Sequence, residues 1–91
     1  MNKDRRKALR EAIDELEEAK AKIESAKATV DACKDEENDS HEGLPEGIQD
    51  GERGDAMQEN IDNLEEAYGN IEDMQDTIEE TINLIQEAID R

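Results

Sequence analysis

The sequence predicts an all-α fold, an antiparallel two-helix coiled-coil hairpin, and three observations carry that prediction. Apolar residues recur every seven positions through two long stretches. Four of the five glycines and the only proline fall together between those stretches. Lysines of the first stretch and glutamates of the second pair off in one antiparallel register.

The first helix is expected over roughly residues 3–37. Leu9, Leu16, Ile23 and Val30 share one position of the repeat, and Ala12, Ala19, Ala26 and Cys33 share another. Repeats sustained this long predict coiled-coil packing. Alanine, glutamate and lysine, all good helix formers, fill the other positions. The connector is expected over 38–54, where Gly43, Gly47, Gly51, Gly54 and Pro45 break the helical pattern. Leu44 and Ile48 are expected to fold it back over the open end, with Pro45 opening a short helical turn. The second helix is expected over roughly 55–90. Its seam has Met57, Leu64, Ile71, Ile78 and Ile85 at one position and Ile61, Tyr68, Gln75, Ile82 and Ile89 at the other.

The direction of packing follows from charge. Lys20–Glu79, Lys27–Glu72 and Lys34–Glu65 have residue numbers that all sum to 99, as one antiparallel register requires. The same register sets small residues opposite large ones, Ala26 by Tyr68 and Ala19 by Gln75. Each exposed ion pair contributes only about 0.3–0.5 kcal/mol, so these pairs select register more than they stabilise. Lys3, Arg5, Arg6 and Lys7 sit poorly at a helix N-terminus, and the hairpin is expected to compensate them with Glu87 and Asp90. Gln75 interrupts the second seam, either setting register or reaching solvent through the gap left by Ala19.

Composition narrows the function. The 91 residues carry 28 acidic and 11 basic groups, a net charge of -17, and Tyr68 is the sole aromatic. So little apolar bulk walls off no deep pocket, which argues against an enzyme. The charge repels nucleic acids and anionic membranes. No apolar run is long enough to span a bilayer, and no apolar signal region follows the basic start. With a single cysteine, Cys33, the expected location is the cytoplasm of a host cell. Cys33, Glu37, His41 and Glu42 match no zinc spacing, Asp35 to Glu42 lacks the glycine of an EF-hand loop, and no cofactor is expected. The basic cluster Lys3 to Arg10 has no interleaved aromatic on which bases would stack.

The charge is uneven. Residues 1–37 hold 9 basic and 11 acidic groups, whereas 38–91 hold 2 and 17. The outward stripe of the second helix reads Glu59, Asp62, Glu66, Asp73, Asp76, Glu80, Glu87 and Asp90, a ridge of carboxylates. Either it imitates a nucleic-acid backbone and docks in the basic groove of a nucleic-acid-handling protein, or it is a solvated face. A net charge of magnitude about 2–8 suffices for solubility in a small domain, and the surplus adds self-repulsion. A second apolar strip, Ala67, Met74, Thr81, Leu84 and Ala88, suits a homodimer, since a lone hairpin buries little and a four-helix bundle is the simplest remedy.

The segments Leu44-Pro45-Glu46-Gly47-Ile48-Gln49, Gly51-Glu52-Arg53-Gly54-Asp55-Ala56-Met57 and Asn60-Ile61-Asp62-Asn63-Leu64-Glu65-Glu66-Ala67 resemble small acidic helical proteins carried by phages and mobile elements of Gram-positive bacteria. The resemblance implies a setting in which such proteins disable host defence, as anti-CRISPR and anti-restriction inhibitors do. Two functions are therefore expected as alternatives: a non-enzymatic acidic inhibitor of a basic host protein, or a structural, oligomerising coiled coil.

Overall fold

The computed structural model describes all 91 residues as two long antiparallel helices joined by a short one. They are α1 (Lys3–Glu42), α2 (Glu46–Gln49) and α3 (Glu52–Asp90). The rod measures 68 × 15 × 13 Å with a radius of gyration of 20.3 Å, against about 12 Å for a compact domain of this length. No helix is long and apolar enough to cross a membrane.

Both long helices run further than the sequence pattern suggests. The connector expected over 38–54 shrinks to the stretch around α2, because α1 continues to Glu42 and α3 begins at Glu52. Asn2 starts α1, its side chain accepting from the Arg5 N–H at 2.8 Å. At the other end the Gln49 side-chain amide donates to the backbone carbonyls of His41 (3.0 Å) and Glu42 (3.2 Å). Those carbonyls lack partners within the helix, so a residue from α2 caps α1. Pro45 precedes α2 as its N-cap rather than opening its first turn, and its carbonyl accepts from Ile48 and Gln49. Leu44 is half-buried, while Ile48 stays exposed.

The α3 seam is as expected. Ile61 and Ile89 are buried, and the other eight seam residues are half-buried. Heptad letters describe the packing, with a and d at the seam, e and g flanking it, and b, c and f outward. Then Gly54, Ile61, Tyr68, Gln75, Ile82 and Ile89 are the a residues of α3, and Met57 to Ile85 are its d residues.

On α1 one expected seam position holds and the other does not. Leu9, Leu16, Ile23 and Val30 are half-buried at d. Ala12, Ala19, Ala26 and Cys33 are not the second seam row: they form the g flank, with Ala12 and Ala19 half-buried and Ala26 and Cys33 exposed. The a position belongs to Arg6, Ile13, Lys20, Lys27, Lys34 and His41, all half-buried. Lysine fills it because its aliphatic stem lies along apolar surface while the ammonium reaches the edge.

These lysines explain how the seam tolerates polar groups. Lys27 donates to the Gln75 side-chain oxygen at 3.1 Å, and the Gln75 amide donates to Glu24. Gln75 therefore bridges the helices instead of escaping past Ala19. The Nζ atoms of Lys27 and Lys34 lie 5.2 and 5.8 Å from the Tyr68 ring centroid, so two cations meet the ring. Lys20–Glu79 (3.8 Å) and Lys27–Glu72 (3.9 Å) form as expected. Lys34–Glu65 does not: Lys34 turns to Asp31 (3.3 Å) and Asp35 (3.8 Å) on its own helix. Nor do the N-terminal cations pair with Glu87 or Asp90. Arg6 Nε instead donates to the Ile89 carbonyl at 3.0 Å, capping the free end of α3.

A pH dependence follows. The hydrogen bond to Asp31, helped by the charges of Asp31, Asp35 and Glu65, raises the Lys34 pKa above its ordinary 10.5. A raised cationic pKa contributes stability that is present below about 10.5 and lost as pH climbs through the folded-state value. Thermal melts across pH 9–12 are expected to show this loss in the native chain and less of it in Lys34→Met, which keeps the stem but not the charge. Equal loss in both assigns the alkaline transition to other groups.

Candidate interaction faces

The heptad frame sorts the surface into two unlike sides. In an antiparallel pair the e residues of both helices share one flank and the g residues the other. The a-to-e′ contacts of Lys20 and Lys27 mark the e flank. It carries Glu17, Glu24 and Asp31 from α1 and Glu65, Glu72 and Glu79 from α3, with lysine ammoniums emerging between them.

The carboxylates singled out in the sequence lie next to that flank, on the back of α3. Glu59, Glu66, Asp73, Glu80 and Glu87 occupy successive f positions, pointing directly away from α1, and Asp62, Asp76 and Asp90 occupy b. All eight are exposed, and none takes part in an ion pair. Asp62 accepts from Gln58 at 2.9 Å, and Asp90 from Gln86 at 3.0 Å. The ridge is grouped rather than continuous, because Gly69 and Asn83 interrupt the b row. Glu59, Asp62 and Glu66 form one group, Asp73, Asp76 and Glu80 the next, and Glu87 with Asp90 the last. Successive groups repeat every two heptads, about 21 Å along the axis at about 1.5 Å per residue.

The opposite flank is uncharged along its central g rows, with Arg5 and Arg53 at their ends and Glu15, Lys22 and Glu36 at the neighbouring c positions of α1. Its central α1 contribution is the g row Ala12, Ala19, Ala26 and Cys33. Its α3 contribution is the g row Asn60, Ala67, Met74, Thr81 and Ala88, together with Ala56, Asn63, Asn70, Thr77 and Leu84 at c. Met74 is 47% and Leu84 60% exposed. A shallow groove lies here between the helices, lined by Ile23, Met74, Thr77, Ile78 and the edge of Asp73. Sequence reasoning found the α3 half of this flank. The α1 half is hidden in the sequence, because its alanines share the heptad spacing of a seam row.

Cys33 is a free, exposed thiol, and it forms no metal-type cluster with Glu37, His41 and Glu42. Comparison with protein-family models, curated proteins and solved structures gives no match.

Proposed function

We propose that the chain is a non-enzymatic acidic binding protein whose α3 ridge occupies the basic groove of a nucleic-acid-handling protein. The observation that carries this reading is that every f position of α3 from Glu59 to Glu87 is an exposed carboxylate without a cationic partner. Nothing in the hairpin needs those charges. Lys20 and Lys27 use the e-position Glu79 and Glu72 instead, and Lys34 uses Asp31 and Asp35 of its own helix. Grouped carboxylates on a stiff rod present negative charge in a fixed array, and a groove lined by Lys and Arg accepts it without reordering either partner. Complementary charge of this kind mainly raises association rate and selectivity. The inhibitor role implied by the phage-protein resemblance is the simplest use of such a rod, since it would exclude the nucleic acid from its own site.

The test is a four-site variant, Glu66→Gln, Asp73→Gln, Asp76→Asn and Glu80→Gln together. These side chains point away from the seam, so helicity is expected to stay unchanged by circular dichroism. A partner captured from host lysate on the native chain is expected to be a nucleic-acid binder, displaced by duplex nucleic acid and by salt. Screening shortens from about 10 Å at 0.1 M to about 3 Å at 1 M salt. Full retention of the partner by the variant refutes the ridge reading.

The uncharged flank favours a second reading, a structural coiled coil that assembles into a four-helix bundle with the acidic ridge as its solvated exterior. The two readings share the rod and differ in which face meets another protein.

A further inference from the structure

We propose that the uncharged flank is the contact face of a homodimer, in which α1 of each copy lies antiparallel on α3 of the other. This rests on the four-helix-bundle reading and names its face and register.

Area is the first argument. The accessible surface is 6644 Å², about 1,300 Å² more than a compact monomer of this mass exposes. A standard interface covers about 800 Å² per partner, and one flank of a rod 68 Å long is large enough to supply it. The buried core offers little in its place, since only Ile61 and Ile89 are buried apolar side chains.

Charge selects the face and the occupant. A second copy also carries -17, so it is repelled from the e flank and from the ridge. The flank holding Ala26 and Met74 is where an identical acidic rod meets the fewest carboxylates, those of Glu15, Glu36 and Asp73 lying at its rim beside Lys22. A basic partner has no reason to choose this flank over the ridge.

Shape gives the register. Lys20–Glu79 and Lys27–Glu72 hold residues 20–27 of α1 level with 72–79 of α3. A two-fold axis along the rod then stacks the exposed Met74 of each copy on the small Ala19 and Ala26 side chains of the other. Large meets small twice, as an isologous contact requires, and both ridges stay outward.

Sedimentation equilibrium over a concentration series tests the proposal, with helicity followed in parallel. The native chain is expected at twice its 10.3 kDa mass. Ala26→Glu and Met74→Glu are each expected to raise the dimer dissociation constant about 100-fold or more, by setting carboxylates into a dry contact. Glu66→Gln, on the ridge, is expected to leave it unchanged or lower it. Labelling of the Cys33 thiol is expected to slow as the chain is concentrated, because Cys33 shares the flank. A native chain of 10.3 kDa at every concentration overturns both the bundle reading and this face. A dimer whose dissociation constant ignores both glutamate variants, or whose Cys33 labels at one rate throughout, overturns the face alone.

Discussion

Ile61→Ala is expected to lower stability by about 2–5 kcal/mol, the range for emptying a buried aliphatic site. Ile61 is 3% exposed, and only Ile89, in the last turn of α3, is comparably buried among apolar residues. Ile61 sits one heptad beyond Gly54, near the end of the rod where α2 packs on α3. Natural domains of this length hold about 5–14 kcal/mol in total, and a rod with so thin a core has little in reserve. The variant is therefore expected to melt well below the native chain, with much of its helix lost at 37 °C. Ser25→Ala is the control, because Ser25 is exposed at an outward position of α1, away from the seam and from the proposed dimer face, and surface changes usually stay within about 0.5 kcal/mol. Urea titrations at one fixed protein concentration keep self-association constant between variants. Equal midpoints for the two variants would show that Ile61 anchors nothing.

How much of this architecture the sequence discloses depends on the helix. The α3 seam is legible residue by residue, because isoleucine, leucine and methionine at seam spacing have no competing position. The α1 seam is legible at d only. At a, the residues that line the interface are mostly lysines, and the apolar alanines one position away attract the assignment. Ile13 was the available signal, seven residues before Lys20, with Lys27, Lys34 and His41 continuing the same row. A lysine row reads as a solvated flank until its stems are credited as apolar surface. The misassignment concealed the uncharged flank, which becomes visible only when the g rows of both helices are seen to share one side. The acidic ridge needed no such knowledge, since its residues face away from the seam under either assignment. Its grouping follows from Gly69 and Asn83, both plain in the sequence but informative only once the b row is identified.

The connector shows a different limit. No residue in the chain has a positive φ, so none of its glycines serves a left-handed turn. Gly54 is required for another reason, the close approach of one backbone to another. Long-range contact of that kind leaves no local pattern to read.

Gly54→Ala and Gly69→Ala are expected to move stability in opposite directions, although both exchange glycine for alanine within α3. Intrinsic helix propensity favours alanine at either site by roughly 0.5–1 kcal/mol. At Gly69 nothing lies within 4 Å of the added methyl, so that gain survives. Melting is expected to rise by a few degrees, at about 4–8 °C per kcal/mol for a domain of this size. At Gly54 the methyl would overlap the Gln49 carbonyl and lie 2.7 Å from Gln49 Cα. Backbone cannot rotate aside as a flexible side chain would, so α2 has to shift, at a cost of about 1–3 kcal/mol for overpacking. Moving Gln49 also breaks the bonds its amide donates to the His41 and Glu42 carbonyls, leaving His41 with the Leu44 N–H alone, each such bond contributing about 0.5–1.5 kcal/mol. These losses exceed the propensity gain, and Gly54→Ala is expected to be destabilising overall. Amide hydrogen exchange separates the local event from general weakening. The last turn of α1, before Gly43, is expected to lose protection in Gly54→Ala, while the seam around Ile71 and Ile78 keeps most of its own. Raised melting in both variants would mean that α2 does not hold the end of α1, and that Gly54 is no more than a weak helix former.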